Sequence, residues 1–587
     1  MSSKTARIVQ AVVVAAIIAA VAIDIAFSDD PSDRVFPLPV SEEDKTYLPA
    51  DEAEKEYDTA IDGMLKDLKA SDDTNSMVSI IMEGYDALVT VRDQYVWAEL
   101  DYSINPAKYA ESYQEWSVLN STAYDTFESA LREALVSDES DMMVDALKAV
   151  GLDPDEIRSN SSMTPEEEAL LKDVARLVTE YDEIMSRDYS VVADGVTVSL
   201  SDYYVAGDFT PQQRLEIYYG LLYDRWYDAA EVYADLVDVR NEYAAIQGYG
   251  NYAEYAYKEL YGRDYGTEDA WNFTECTGEA FELYSQISRM IELNPSLNAS
   301  NLDWIETLGD DEILDLAKAH ESSIGGDLPD LMDYMRDYGL IYICNEDDSR
   351  NSAYTTSLLR QGSAIMFFGS GYTGQSLATT VIHEFGHASH LCLNTDISGC
   401  YDVLEIHSQG NEALFYATAD RHLKNGSEAM AANGIRDLVY SVWSTGLWTQ
   451  LELWAYETQA ETKESLTVQM LSDEFDAILE RNGMKGVFSY PDELNGLIWV
   501  QIPHLFHSPL YYVSYATSAL NALEIYAMAV DDFDEARDTY LDLLYLHDAD
   551  GYMDAVERTG LTNSLGKGEA ERIIDDAFES LRKQIQR

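Results

Sequence analysis

Two histidines and a glutamate with a regular spacing are the residues best suited to chemistry in this 587-residue chain. They form the motif His383-Glu384-Phe385-Gly386-His387. On a helix, residues four positions apart lie on the same face, so both imidazoles can reach a single metal ion. Glu384 then lies beside the space in which a water molecule would be activated as the nucleophile. The motif predicts a zinc hydrolase in which Glu384 is the general base.

A catalytic zinc site needs a third protein ligand and one open position. Helical spacing resumes after a predicted loop at residues 392–401, and we predict that Glu405 on this next helix is the third ligand. Glu412, His407 and His390 are the alternatives. Glu412 is also suited to orient a ligand histidine from behind, and His390 to form a hydrogen bond with a neighbouring carboxylate. Seven of the nine histidines lie between residues 383 and 507, a clustering that a metal site requires.

The elements that must position these groups are predicted to be mainly helices. Apolar residues recur every three or four positions from residue 51 to about 189, which is typical of amphipathic helices. Thr164-Pro165 and Thr210-Pro211 are helix starts, because threonine caps the first turn and proline fits within it. Two short apolar runs, residues 340–344 and 363–368, instead predict strands of a small sheet just before the HExxH helix.

Composition excludes several classes of protein. With 108 acidic and 38 basic residues, the net charge is −70, which excludes a nucleic-acid binder that neutralises phosphates. It also argues against docking on anionic lipid, and fits a very soluble protein that works in salt. Because 46% of the residues are hydrophobic, the chain can bury a sizeable core and is not a disordered protein.

The N-terminus predicts export. Lys4 and Arg7 precede an apolar stretch at residues 11–23. This stretch has the length of a signal-peptide core. It is shorter than a membrane-spanning helix, which needs about 20 residues. Ala26 and Ser28 supply small side chains at the −3 and −1 positions of a cleavage site. Residues 1–28 are therefore predicted to be a signal peptide or an N-terminal membrane anchor. The protein would be extracellular, either secreted or anchored to the cell surface.

The four cysteines leave their redox state open. Cys392 and Cys400 are close enough to bridge a short loop, which would leave Cys276 and Cys344 as the second pair. Buried free thiols are the equal alternative.

The motif and its surroundings resemble a known family. The run at residues 383–390, followed by Asp402-x-x-Glu405-x-x-Ser408 and Glu412, resembles the zinc peptidases of the thimet oligopeptidase and oligoendopeptidase F family, and most closely the oligoendopeptidase F branch. Further similar segments are residues 240–252, 360–367 and 502–518. This sequence departs from the family in having His407 where Pro or Ala is frequent, and in a shorter spacing between His387 and Glu405.

The resemblance implies a mostly α fold, a large two-lobed helical metallopeptidase with a deep central channel and a small β-sheet next to the HExxH helix. Residues 29–200 would form an N-terminal helical region and residues 201–587 the catalytic domain. Such a channel admits short, unfolded peptides, so oligopeptides would be the substrates. An exposed edge of the strand at 363–369 would pair with the peptide backbone.

The resemblance also implies roles for individual residues. One Zn²⁺ ion would be bound by His383, His387 and Glu405, with Glu384 as the catalytic glutamate. His504, Tyr512 and Tyr515 would contact the substrate carbonyl and the transition state, with Tyr511 as a further candidate. Two other functions remain open at this point: a helical zinc metallocarboxypeptidase that removes single C-terminal residues, and a non-catalytic extracellular peptide-binding protein.

Overall fold

The computed structural model describes residues 36–137, 141–159, 164–345, 348–393, 401–546, 549 and 551–586. The predicted signal or anchor segment, residues 1–28, and Cys400 lie outside the described residues. Within the described ranges, no helix combines the length and the hydropathy that crossing a membrane requires.

The N-terminal part of the described chain is helical, as the spacing predicts. Its helices are α1 (Ala50–Ala70), α2 (Thr74–Ile104), α3 (Pro106–Ser137), α4 (Asp141–Ala149), α5 (Pro154–Ser159) and α6 (Pro165–Ser186). The apolar faces of α1 to α5 enclose a core of their own around Trp116 and Phe127, which are fully buried. Thr164 and Glu167 form a capping box at the start of α6.

A β-hairpin that the sequence analysis missed follows these helices. Strands β1 (Ser190–Ala193) and β2 (Val196–Ser199) pair antiparallel around Asp194-Gly195. Both turn residues have positive φ, 49° and 81°, which suits the tight two-residue hairpin turn that an Asp-Gly pair favours. The valine-rich runs on either side of Asp-Gly were the available signal.

The middle of the chain continues with helices that lead up to the sheet. They are α7 (Pro211–Ile246), α8 (Tyr252–Tyr255), which continues as a π-turn (Ala256–Leu260), α9 (Thr267–Thr274), α10 (Thr277–Leu293), α11 (Asp310–Ile324) and α12 (Leu328–Asp337). Short 3₁₀ turns connect α10 to α11. As predicted, Thr210-Pro211 opens the long helix α7, here with a capping box to Gln213.

A small sheet lies next to the HExxH helix, as predicted. Its described strands are β3 (Ile341–Ile343), β4 (Ala353–Leu358) and β5 (Ser363–Phe368), in the order β3–β5–β4. Strand β5 is central, parallel to β3, antiparallel to β4, and buried along its whole length. The expectation of an exposed edge at residues 363–369 is therefore wrong. The edge strand beside the helix is β4, which was not predicted because its central residues, Thr355 to Ser357, are polar and half-buried.

The C-terminal half contains the HExxH helix and most of the larger core. Its helices are α13 (Gly374–Leu393), α14 (Tyr401–Ala417), α15 (Ala419–His422), α16 (Ser427–Thr462), α17 (Val468–Arg481), α18 (Asp492–Asn495), α19 (His504–His507), α20 (Val513–Asp531), α21 (Phe533–Leu544), α22 (Tyr552–Thr559) and α23 (Glu569–Ile585). The predicted mostly α fold is confirmed. Helix α14 packs tightly against α13 and α20. Cys276 and Cys392 are buried thiols, and burial raises the pKa of both.

Candidate metal centre

Helix α13 presents the two histidines of the motif on one face. The ring centroids of His383 and His387 lie 5.0 Å apart, one helical turn from each other. The helix begins directly after the sheet, and the carboxylate of Glu306 accepts a hydrogen bond from the backbone N–H of Gln375 in its first turn. A carboxylate at this end satisfies a free amide and complements the helix dipole. Local helical geometry is thus sufficient to bring the two imidazoles together.

Glu405 completes the group from helix α14. Its Oε2 lies 3.6 Å from Nε2 of His383 and 3.5 Å from Nε2 of His387. Two atoms bound to one zinc ion at about 2.0–2.2 Å with tetrahedral angles lie about 3.3–3.6 Å apart, so these distances fit such an ion. The three side chains, which we call the ligand group, are 26%, 21% and 16% exposed, in the order His383, His387, Glu405. They are therefore partly buried and still reached by solvent.

Gly386 allows α14 to approach α13 closely enough for this contact. A Cβ atom at this position would overlap the carbonyl oxygen of His407 and lie 2.6 Å from Cα of Ser408. Any larger residue would therefore push the two helices apart. Asn411 strengthens the same interface, because its side-chain amide donates a 2.9 Å hydrogen bond to the carbonyl of Ile382. Gly386, which lies inside the HExxH motif, thus also allows α14 to pack close to α13.

Glu412 orients His383 from the side opposite to Glu405. Its Oε1 lies 2.6 Å from Nδ1 of His383, and Tyr416 donates a hydrogen bond to Oε2. A proton on Nδ1 leaves Nε2 free to face Glu405. Burial acts to lower the pKa of His383, but the hydrogen bond and charge of Glu412 and the charge of Glu405 outweigh it and raise this pKa to about 10. Glu412, one of the alternatives for the third ligand, therefore lies where it orients His383 and not where Glu405 lies, at Nε2 of both histidines.

The carboxylate of Glu405 is held in its charged form. Burial acts to raise its pKa, but the hydrogen bond and charge of His387 outweigh this and lower the pKa to about 2. Ser408 also donates a 3.0 Å hydrogen bond to Oε2. The carboxylate of Glu405 therefore lies against both imidazoles, and that of Glu412 lies against His383. Their negative charge favours the binding of a cation. The nitrogen and oxygen donors are those that zinc accepts.

Glu384 is aimed by a threonine of strand β4. The hydroxyl of Thr355 lies 2.7 Å from Oε2 of Glu384 and 3.0 Å from its backbone carbonyl oxygen. The glutamate is 7% exposed and next to His383 in sequence. A carboxylate restrained in this way beside two imidazoles that could hold a metal ion is suited to accept a proton from a nearby water molecule. Thr355 could not be predicted from the sequence because strand β4 was not predicted, although Tyr354, Thr355 and Thr356 are residue types that favour strands.

Solved structures share this architecture. Pz peptidase A with an inhibitor aligns with a TM-score of 0.62 and 14% identity over 94% of this chain and 99% of its own. Oligoendopeptidase F from Enterococcus faecium aligns with a TM-score of 0.54 and 14% identity over 91% of this chain and 99% of its own. The chain has the oligoendopeptidase F fold. No protein-family model and no curated protein matches the sequence. The resemblance inferred from the motifs is therefore confirmed at the level of the fold.

The two remaining candidates for third ligand lie elsewhere in this oligoendopeptidase F fold. The rings of His390 and His407 stack on each other with centroids 4.2 Å apart. His407 is 1% exposed, and burial followed by the charges of His390 and His387 lowers its pKa well below the ordinary value. The group of metal-binding atoms found among the described residues contains neither of them. Their stacked rings instead form part of the contact between α13 and α14.

The segment of residues 504–515, which we call the His/Tyr segment, forms an aromatic cluster. The ring of His504 lies 5.1 Å from that of Tyr512, 6.0 Å from Tyr515 and 6.2 Å from Tyr511, measured between centroids. Burial lowers the pKa of His504, with a smaller contribution from the charge of His507. The structure thus brings all the predicted contact residues of this segment together.

The tyrosines of this segment differ in their relation to the ligand group. Burial and then the charge of Glu405 raise the pKa of Tyr511, and they raise that of Tyr515 to about 12. Burial also raises the pKa of Tyr512 to about 12, but its neighbouring charges are Tyr440 and Glu452. The charge of Glu405 therefore acts on the phenols of Tyr511 and Tyr515, whereas the charges that raise the pKa of Tyr512 are those of Tyr440 and Glu452.

Proposed function

We propose that the protein is an exported zinc endopeptidase that hydrolyses internal bonds of short, unfolded peptides. The observation that supports it is the convergence of His383, His387 and Glu405 with Glu384 held beside them. This set comprises a metal-binding group and a base, which are the parts that metal-assisted hydrolysis requires. A protein that only binds peptides has no need of a restrained base at that position.

The ligand group would hold one Zn²⁺ ion. When bound, this ion would supply a Lewis acid that polarises the peptide carbonyl and lowers the pKa of water. The chain's own contribution is to fix the donors: Glu412 holds His383 through Nδ1, and Ser408 holds Glu405 through Oε2. Such outer contacts typically account for 10- to 100-fold in metal affinity.

Glu384 would transfer the protons. It accepts a proton from water as the water oxygen bonds to the carbonyl carbon, and it passes this proton to the leaving amine as the C–N bond breaks. Thr355 keeps the carboxylate pointed at the site through the hydrogen bond to Oε2. The threonine hydroxyl is therefore a positioning group for the base.

Tyr511 and Tyr515 would stabilise the negative charge that develops on the carbonyl oxygen. A phenol with a pKa of about 12, as at Tyr515, stays protonated at neutral pH and can donate a hydrogen bond. His504 lies within the same aromatic cluster and would contact the substrate. Tyr512 would have a packing role.

The substrates would be oligopeptides that lie along strand β4. This strand is at the edge of the sheet and carries Thr355, which contacts the base. An edge strand pairs with an extended backbone through main-chain hydrogen bonds and requires no particular side chain. The oligoendopeptidase F fold and the name of Pz peptidase A support peptides as the substrate class.

An internally quenched peptide with fluorophore and quencher at opposite ends tests the reaction. The wild-type protein with zinc should release internal fragments, identified by mass spectrometry. Glu384→Gln should keep the zinc but lose about 10²–10⁴ in kcat. Sequential loss of single C-terminal residues would instead establish a metallocarboxypeptidase. Tight peptide binding without cleavage would establish a binding protein, and full activity of Glu384→Gln would contradict the mechanism.

Zinc content tests the ligand assignment separately. Glu405→Ala should reduce the bound zinc far more than Glu412→Ala, because Glu405 faces Nε2 of both histidines and Glu412 contacts only Nδ1 of one. Metal analysis of both purified variants after dialysis against a weak chelator measures this. A normal zinc content in Glu405→Ala together with a loss of zinc in Glu412→Ala would show that Glu412 is the ligand and Glu405 is not.

Export rests on the sequence of residues 1–28 alone. Expression of the full chain followed by fractionation and N-terminal sequencing tests it. A mature protein that begins near residue 29 indicates a cleaved signal peptide, and an intact N-terminus in the membrane fraction indicates an anchor. An intact protein retained in the cytoplasm would contradict export.

A further inference from the structure

Leu510, directly before Tyr511, has an unusual backbone conformation. Its φ is +65°, a left-handed value that residues other than glycine rarely adopt. The residue is 2% exposed, so the conformation belongs to the interior of the protein. Such strained residues persist only where surrounding contacts hold them, and they cluster at functional sites.

Buried side chains hold both polar groups of this residue. The backbone N–H of Leu510 donates a 2.7 Å hydrogen bond to Glu452, and its carbonyl accepts a 2.9 Å hydrogen bond from Nη1 of Arg263. The carbonyl of Pro509, one residue earlier, accepts a 2.8 Å hydrogen bond from the hydroxyl of Tyr261. The backbone before Tyr511 is thus fixed by groups from distant parts of the chain.

Arg263 also binds the helix that carries Glu405. Its Nε and Nη2 lie 3.0 and 3.2 Å from the two carboxylate oxygens of Asp402, and both side chains are fully buried. Nη2 donates a further 3.0 Å hydrogen bond to Ser514, whose hydroxyl also donates to Asp402. The guanidinium lies 4.3 Å from the ring centroid of Tyr257, which adds a cation–π contact.

The partners of Arg263 are adjacent to the residues proposed to act on the substrate. Asp402 is three residues before Glu405 on α14, and Ser514 directly precedes Tyr515. A buried ion pair adds little to the free energy of unfolding, because the cost of desolvating both groups offsets the attraction between their charges. The planar guanidinium does, however, fix several partners in one geometry, which a lysine cannot do.

We propose that Arg263 is a positioning residue that sets the distance between Glu405 and the hydroxyls of Tyr511 and Tyr515. It does so by binding Asp402 on one side and the Leu510 carbonyl and Ser514 on the other. The inference rests on the proposed function, since the distance matters only if the tyrosines act on a carbonyl bound at the ligand group.

Arg263→Lys in the full-length protein is the first test, with Arg240→Lys as the matched control. Arg240 is 2% exposed and also binds the His/Tyr segment, through the carbonyls of Leu505 and Phe506 and the hydroxyl of Tyr456. We expect Arg263→Lys to lower kcat about 100-fold with KM and zinc content unchanged, because a small misplacement of reacting groups has an effect of that size. Arg240→Lys should lower kcat far less. An equal loss in both variants, or none in Arg263→Lys, would overturn the proposal.

A pair of substitutions at Leu510 tests the same point without changing Arg263. Leu510→Ala and Leu510→Gly both delete the side chain, but only glycine frees the left-handed backbone. We expect Leu510→Gly to have a lower kcat than Leu510→Ala at the same KM, although glycine relieves the backbone strain. Equal kcat values would show that the conformation at 510 has no bearing on the reaction.

Hydrogen exchange distinguishes failure of this proposal from failure of the proposed function. In Arg263→Lys, amides of residues 510–515 should exchange about tenfold faster than in the wild type, while those of α13 should not change. This measurement needs no substrate. A wild-type protein that cleaves no peptide would end the proposed function, whereas unchanged exchange at residues 510–515 would end the role of Arg263.

Discussion

The two halves of the candidate site are built in different ways. On one side, His383 and His387 are one turn apart on a single helix, and Glu405 reaches them from the next helix in the chain. On the other side, the His/Tyr segment takes its shape from Arg240, Arg263 and other side chains that lie far away in sequence. The first half depends on helical periodicity and one helix–helix contact, and the second on a buried polar network.

This difference indicates which substitutions should affect which property. Changes in the helical half should alter metal binding, because the donors themselves move. Changes in the His/Tyr segment should alter kcat and leave the metal in place, because only groups that face the substrate move. Zinc content and kcat, measured on the same variants, therefore separate the two halves.

Loss of the Tyr515 hydroxyl should have the largest effect on kcat. Tyr515→Phe should lower kcat by about 10²–10³, the loss typical of removing one donor to a developing oxyanion, with zinc content unchanged. Tyr512→Phe is the matched control, because the charges that raise the pKa of Tyr512 are those of Tyr440 and Glu452 and not that of Glu405. Steady-state kinetics on a quenched peptide measures both. A larger loss in Tyr512→Phe would reverse the assignment made from the electrostatics of the tyrosines.

Gly386→Ala should weaken metal binding by separating α13 from α14. The added methyl would overlap the backbone of His407 and Ser408. Overpacking of this kind typically costs about 1–3 kcal/mol, which corresponds to about 5- to 150-fold weaker binding if it is lost at the site.

Zinc titration of Gly386→Ala measures this, with Gly220→Ala on α7 as the control. Gly220 has no atom within 4 Å of an added Cβ, so alanine there should leave zinc binding unchanged and raise stability slightly. Wild-type zinc affinity in Gly386→Ala would show that the helices separate without moving Glu405.

The smallest effect is expected for the threonine that aims the base. Thr355→Val keeps the shape of the side chain but removes its hydrogen bond to Glu384, which should lower kcat about tenfold and leave KM and zinc content unchanged. Thr355→Ser should restore most of the loss. Thr356→Val, one residue along and on the other face of β4, should have no effect. Equal kcat values for the two valine variants would contradict this role of Thr355.

Much of the helical architecture could be predicted because it is local. The three- and four-residue spacing predicts the amphipathic helices of residues 51–189, and Thr164 and Thr210 mark helix starts that the structure confirms. Strand β4 was missed because its central residues, Thr355 to Ser357, are polar and half-buried, so it lacks the apolar run that marked β5. The hairpin at Asp194-Gly195 was missed within a tract that is otherwise helical.

The HExxH spacing is enough to identify the residues that could bind a metal and act as a base, because a helix places residues i and i+4 on one face whatever surrounds it. The sequence also narrowed the third ligand to four candidates. The packing of α14 on α13 was needed to show that Glu405 lies at Nε2 of both histidines and Glu412 at Nδ1 of His383. Only the tertiary structure showed that Arg263 joins α14 to the His/Tyr segment. These contacts join separate parts of the chain, 29 positions apart for His383 and Glu412 and 139 for Arg263 and Asp402. They depend on how the helices pack, and no local spacing encodes them.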